Sequence, residues 1–357
     1  MPGRDPLYCR EAAPVAIEAP SNEETMNRPQ PAVARRLRRA ALAALLPFFA
    51  ASALAQGTYP NRPLKAVVPY APGGVSDVST RTVMERLSRD LGQPIVMENK
   101  AGAASTLASN WVASQPPDGY TLYAAPVSIV INPTLQGKVQ YDPRASFEPI
   151  SMMIVSPFVL QVSPALGVRT MKDLVALVRA NPDKYTIGTS GAGSINHLAA
   201  EYFVRSLDLK VAIAHYRGGM PAVQDMFAGA IHMLFSATNE ALPFLAAGRT
   251  TGVAVTSLKR LPNLPELPTM EEATGIRGFE AVFWMAVMVP AQTPKPIVAR
   301  LQEGMARVGA STELREKMAT LGVELDTSPA QAVRERMDRD EAKWSKLIRD
   351  FGIRETQ

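Results

Sequence analysis

The 357-residue chain is poor in the residue types that usually announce covalent or metal chemistry: one cysteine, Cys9, three histidines and 6% aromatics. A lone thiol makes no intrachain disulfide and no Cys-ligated metal site. His197, His215 and His232 follow neither HExxH nor another metal-ligand spacing, so no metal and no cofactor is expected. Charge of one sign is also scarce, with 38 Lys and Arg against 33 Asp and Glu, a formal +5. Without a dense basic face interleaved with aromatics, this argues against nucleic acid as a partner. What is present is an ordinary globular composition, 46% hydrophobic and 20% charged with a mean hydropathy of -0.02, which excludes fibrous and polytopic membrane classes. The length suggests two domains, and 30 prolines with 23 glycines imply many turns.

Arg35, Arg36, Arg38 and Arg39 precede an apolar run from Ala40 to Ala51 and then Ala53-Leu54-Ala55, a small-x-small cleavage pattern. The run is shorter than the ~20 residues that span a bilayer and carries Pro47, so it reads as a secretory signal peptide rather than an anchor. The expected leader is 26–55, opening at Met26, with 1–25 an upstream extension and the mature chain exported to the periplasm. The first 55 residues hold seven basic and five acidic residues and the only cysteine, which leaves 302 residues with a charge of +3 and no thiol. Their stability must then come from burial alone.

Along the mature chain, strand, glycine turn and helix repeat. Leu64 to Tyr70, Pro94 to Glu98 and Tyr120 to Ala125 read as strands, alternating with helices over 78–91, closed by Gly92, and over 105–113. After about residue 155 the same units return. Strands are expected at 158–162, 185–188, 210–215, 233–235 and 252–256, and helices at 171–180, 196–206, 220–228 and 241–246. The Pro-rich piece 261–269 reads as a surface connection. A strand at 283–289 and helices at 296–308, 313–321 and 329–351 complete the chain. This alternation predicts an α/β fold, parallel sheet covered by helices on both faces, in two units with a cleft between them.

Two loops carry chemical content. In Tyr70 to Asp77 (YAPGGVSD) a strand leads into Pro72-Gly73-Gly74, where absent side chains let a ligand touch backbone, and Ser76 or Asp77 opens a helix. Free N–H groups and the positive end of the helix dipole then point at an anion, although a plain turn with Ser76 or Asp77 as N-cap fits the same residues. In Gly188 to Ser194 (GTSGAGS), ahead of Asn196 and His197, a second glycine-rich loop joins a strand to a helix. It is no P-loop, because Ser194 fills the lysine position, and no GxGxxG, because Asn196 replaces the last glycine, so ATP and NAD are disfavoured. GTSGA is not the GxSxG elbow, so a hydrolase dyad of Ser190 or Ser194 with His197 is disfavoured and no enzyme is expected. His197 is expected to brace the loop, and the charged stretch 334–343 to be a solvated face.

Over nearly the whole mature chain, from Tyr59 to about Phe351, YPNRPLKAVVPYAPGGVSD, ENKAGAAS, PPDGYTLYAAP, INPTL, GTSGAGSINHLAAEYF, HYRGGMPAVQDMFAGAI, GRTTGVAVTSLKRLPNLPELPTMEEA and GFEAVFW resemble the Bug family. These are the TctC-like periplasmic substrate-binding proteins of tripartite tricarboxylate transporters. The resemblance implies a two-domain clamshell of the Venus-flytrap type, each lobe a sheet flanked by helices, with 57–158 plus 283–357 as lobe 1 and 159–282 as lobe 2. It implies a monomer that takes a small carboxylate ligand between the two loops and delivers it to the transporter's membrane subunits. A periplasmic sensor that presents the same ligand to a signalling receptor is the alternative. Carried over, the binding residues are Tyr70, Pro72, Gly73, Gly74, Ser76 and Asp77 in the first loop and Thr189, Ser190, Gly191, Gly193, Ser194 and His197 in the second. Ser128 and Asn132 are weaker additions. The chain departs from the family at Phe235-Ser236-Ala237, where an aspartate commonly follows the strand.

Overall fold

The computed structural model describes residues 59–354 apart from Arg217; the expected leader, the basic cluster and Cys9 lie outside the described residues. Three short apolar strands, β1 (Leu64–Val68), β2 (Ile95–Asn99) and β3 (Thr121–Pro126), pair in parallel in the order β2-β1-β3. They are joined by α1 (Val75–Leu91) and α2 (Thr106–Ala113). Helix α1 buries Val83, Met84, Leu87 and Leu91 as one stripe, and Gly92, at φ +71, stops it in the left-handed conformation that glycine adopts without a Cβ clash. Helix α3 (Ser128–Gln136) then leads to β4 (Phe147–Val162).

Strand β4 has 16 residues, about three times the usual length, and carries both halves of the sheet. Its first part pairs with β9 (Val282–Pro290) and β10 (Glu324–Leu325); its last residues pair with β7 (Met233–Ala237) and β8 (Thr251–Val255). Beyond β7 lie β5 (Thr186–Thr189) and β6 (Ala212–His215), parallel to it in the order β7-β5-β6. The helices of this half are α4 (Met171–Ala180), α5 (Ile195–Ser206), α6 (Gly219–Phe227), α7 (Thr238–Ala246) and the short α8 (Met270–Thr274). Helices α9 (Lys295–Gly309), α10 (Thr312–Thr320) and α11 (Ala330–Phe351) return to the first half.

The fold is α/β, but the sheet is mixed rather than parallel. Strand β9 comes back from the second half and inserts antiparallel between β3 and β4, and β4 is antiparallel to β7 and β8. Only the two outer triplets, each built by consecutive strand-helix-strand crossovers, keep the parallel arrangement that alternation predicts. Strand β4 is also longer than the expected 158–162, because Pro149 and Pro157 interrupt its pattern. The ladder accommodates an imino residue through a register shift between Pro149 and Ser151.

Register fixes how the two triplets face each other. Pro126, the end of β3, and Ile154 of β4 both pair with Met285, whereas Ala237, the end of β7, pairs with Phe158. Strand β3 runs with β4 and β7 runs against it, so their C-terminal ends point toward each other and stop four residues apart, about 13 Å at the usual rise. Everything that follows those strands converges on the stretch of β4 and β9 around Val155 to Pro157 and Val282 to Phe283.

Candidate functional site

In each triplet the central strand comes first in sequence and its neighbours follow on opposite sides, which makes a topological switch point beside β1 and another beside β5. Loops leaving the carboxyl ends of strands at such points diverge and leave a crevice. The two glycine-rich loops are the ones that leave β1 and β5.

Helix α1 opens at Val75, with Gly74 as an N-cap that offers no side-chain bond. Ser76 and Asp77 therefore lie inside the first turn, and neither is the cap the sequence suggested. Asp77 is 2% exposed and fully occupied: Oδ2 accepts the N–H of Gly73 and Arg81 Nε, both at 2.9 Å, and Oδ1 accepts Asn99 Nδ2 at 2.8 Å. Burial works to raise its pKa, but the bonds from Arg81, Gly73 and Asn99 and the charge of Arg81 hold it below the usual carboxylate range. The N–H of Gly73 is thus spent on the protein. Those of Gly74, Val75 and Ser76 meet no acceptor among the described residues and remain available at the positive end of the helix.

Beside this loop, the Tyr70 ring packs edge-on against Phe283 at 6.1 Å between centroids. Burial pushes its phenol pKa well up, opposed by the neighbouring Ser128 hydroxyl. Ser128, at the start of α3, bonds Ser105 Oγ at 2.6 Å. Ser105 was not singled out from the sequence, and it ends a run of three left-handed residues, Ala103, Ala104 and Ser105, at φ 46, 48 and 79. Such backbone costs roughly 1–2 kcal/mol per non-glycine residue and persists only where the surroundings impose it. Asn132 is one of those constraints. It is fully buried, and its Nδ2 donates to Ala104 O at 2.8 Å and Thr106 Oγ1 at 2.9 Å, so it braces this third loop.

The loop after β5 is organised by Asn196. Its Oδ1 accepts Ser190 N at 3.3 Å, Ser190 Oγ at 2.8 Å and Ser194 Oγ at 2.5 Å, while Nδ2 donates to Phe235 O at 3.1 Å. Ser194 caps α5, its Oγ accepting the N–H of His197 at 3.3 Å; its single proton is shared between Asn196 Oδ1 and Gly191 O, the latter at 2.6 Å. The His197 ring braces the loop by accepting the N–H of Gly193 on Nδ1 at 3.1 Å, which places its proton on Nε2, 3.7 Å from Glu201 Oε1. Neither Ser190 nor Ser194 bonds that ring, so the geometry of a Ser-His dyad is not formed. Thr189 Oγ1 meets His215 Nδ1 at 2.8 Å and accepts the N–H of Gly191 at 3.4 Å. The N–H groups of Ala192, Ile195 and Asn196 have no acceptor among the described residues. Gly193, at φ +78, lies where a Cβ would come within 2.7 Å of Leu135 Cδ2 of α3, so this loop touches the first half of the molecule.

Among the described residues no group of three His, Cys, Asp or Glu side chains could hold a metal, and no helix is long and apolar enough to cross a membrane. What the two loop sets offer a ligand is backbone N–H groups and hydroxyls.

Residues 79–353 match the model of the tripartite tricarboxylate transporter family receptor, TctC. The chain belongs to the TctC family. It is 31% identical over 299 residues to a UPF0065 protein from the tcbD-tcbE intergenic region of Pseudomonas sp. strain P51, covering 84% of this chain and 89% of that one. Among solved structures it is similar to the periplasmic binding protein BugD (TM-score 0.73, 31% identity, 84% of this chain and all of that one). Rpa4515 of R. palustris, solved with adipate, superposes with a TM-score of 0.75 at 31% identity, covering 83% and 99% of the two chains. MatC of Rhodopseudomonas palustris, solved with bound malate, gives 0.71 at 26%, covering 81% and 100%. The TctC fold is thus that of periplasmic binding proteins, a solute-binding rather than a catalytic architecture.

Proposed function

We propose that this TctC-family chain captures a small carboxylate between the loops after β1 and β5. The observation that carries the reading is the pair of α1 and α5 N-termini, with unspent N–H groups at Gly74 to Ser76 and at Ala192, Ile195 and Asn196, on strand ends that point at each other. Each helix end contributes roughly 0.3–1 kcal/mol toward a carboxylate, up to about 2 when partly buried. Tyr70, Pro72, Gly73, Ser76, Ser128, Thr189, Ser190, Gly191, Gly193, Ser194 and His197 shape the walls, Gly73 and His197 by bracing rather than by contact. Asp77 is assigned to the loop and not to the ligand. The adipate and malate in similar structures support an acid as the solute.

In this reading 57–158 with 283–357 and 159–282 are lobes that close on the ligand about the shared strand β4 and its partner β9. Closure excludes water and strengthens the polar terms. A signal peptide at 26–55 directs export and is then removed, and the loaded monomer hands its solute to the membrane subunits of a tripartite transporter. A thermal-shift screen of residues 56–357 against mono-, di- and tricarboxylates, amino acids and neutral sugars tests it. A ligand at 100 times its Kd adds about 2.7 kcal/mol of stability. Shifts confined to sugars would end the carboxylate reading.

A further inference from the structure

The end of β7 and the first turn of α7 hold polar groups with no partner among the described residues. Ser236 Oγ, on a residue 1% exposed, and Asn239 Oδ1 are both buried without a hydrogen-bond partner among the described residues. Native structures leave few such atoms, and those at a crevice are explained by a ligand or ordered water. One residue further, in the first turn of α7, stands Glu240, with neither a hydrogen bond nor an ion pair to any described residue. Burial pushes its carboxyl above the ordinary range.

The surroundings of Glu240 are built to admit it. A Cβ at Gly219, the first residue of α6, would come within 2.2 Å of Glu240 Oε2 and 3.0 Å of Oε1, so the carboxylate occupies the space a side chain there would take. The residue before it, Gly218, donates its N–H to Ser190 O at 3.2 Å, which ties this pair of helix starts to the loop after β5. Glu240 is therefore at the same strand-end rim as the proposed carboxylate site.

We propose that Glu240, which follows Ser236 and Asn239 in the chain, selects a solute that carries a hydrogen-bond donor, an ammonium above all, away from the carboxylate held by the loops. The inference rests on the carboxylate reading. Glu240 is half-buried, so a solute without the donor leaves its carboxylate short of a partner and partly cut off from water, which penalises that solute against one of equal shape that carries the donor. The negative charge fits a cation and disfavours a second carboxylate at that end.

Calorimetry on matched pairs tests this: 4-aminobutyrate with butyrate, 5-aminovalerate with valerate, and 6-aminohexanoate with hexanoate, on the protein and on Glu240→Gln, which keeps the size of the side chain and removes its charge. The amino-bearing member of at least one pair should bind at least tenfold more tightly, and that ratio should fall at least tenfold in Glu240→Gln. A preference that persists in the variant, or bare acids that bind as well as their amino partners, overturns the proposal. An amine of matching length that lacks a carboxylate, and is a cation at neutral pH, separates the two readings. If it binds, loses binding in Glu240→Gln, and no carboxylate binds, the donor selection stands and the carboxylate reading falls. Absence of binding by every probe overturns both.

Discussion

The Asp77 carboxylate accepts the backbone N–H of Gly73 at 2.9 Å, closing the glycine loop onto the first turn of the helix it precedes. Arg81 and Asn99 complete its shell, and Asn99 also donates to Tyr70 O at 2.9 Å, so one acid fixes both ends of the loop.

Replacing that acid should loosen the loop and the fold together. Hydrogen bonds to a charged group contribute about 1.5–3 kcal/mol, and Asp77→Ala removes three acceptor contacts at once, so a loss of about 3 kcal/mol in denaturant unfolding is expected. Asp77→Asn should cost less. The folded pKa is depressed, so this stabilisation is present above the unfolded value of about 3.9 and is lost as pH falls through the folded one. Urea melts at pH 5 and pH 3 should therefore differ more in the wild type than in Asp77→Asn.

Two histidines add acid sensitivity at higher pH. Partial burial lowers the pKa of His215, although much of its side chain stays exposed. Burial and then Lys184 lower that of His232, whose Nδ1 accepts the N–H of Thr186 in β5 at 3.1 Å. A depressed histidine means the unfolded chain binds the extra proton, so stability is complete above about pH 6.5 and declines below it. Melting temperature should fall as pH drops from 6.5 to 5.5, and His232→Asn, which keeps an acceptor without a titrating group, should flatten that slope.

Much of this architecture is legible in the residues, and the limits have physical causes. Helix α4 coincides with the expected 171–180 because Met171, Leu174 and Val178 mark one buried face and Thr170 caps it through the N–H of Asp173 at 3.2 Å. Local period and local cap suffice there. Strand β4 is hidden because its length depends on partners about 70 to 170 residues away and two prolines break its pattern. The roles of Asn196 and Asn132 are hidden for a similar reason, since an amide side chain organises whichever backbone the tertiary fold places beside it. Glycines flag the loops, but nothing in ENKAGAAS announces that Ala103 and Ala104 are left-handed.

The two loops should respond differently to added side chains. Gly74 has φ -73 and nothing nearer than Ala71 O, 3.9 Å from a built Cβ, so Gly74→Val should change stability by less than about 1 kcal/mol. The same isopropyl group covers the free N–H groups of α1 and should weaken carboxylate binding at least tenfold in calorimetry. Gly193→Ala is the opposite case. Its φ of +78 is costly for any residue with a Cβ, by about 1–2 kcal/mol, so it should destabilise the fold as well as the site. Normal affinity in Gly74→Val would remove the first loop from the site.

The last relationship concerns what holds the crossing strands. Trp284 Nε1, on β9, donates to Asp340 Oδ2 of α11 at 2.6 Å, and Arg336 Nε donates to the same oxygen at 2.8 Å, with Trp284 and Asp340 both buried. Asp340→Ala leaves a buried indole N–H and a largely buried guanidinium short of an acceptor, and breaking a buried pair in this way costs about 3–5 kcal/mol. Asp340→Asn keeps an acceptor for the indole and should cost less than half as much. Helix α11 covers β4 and β9 where the strand ends converge, so Asp340→Ala should also raise the apparent Kd for the solute, and unfolding and binding curves for both variants check the two effects separately.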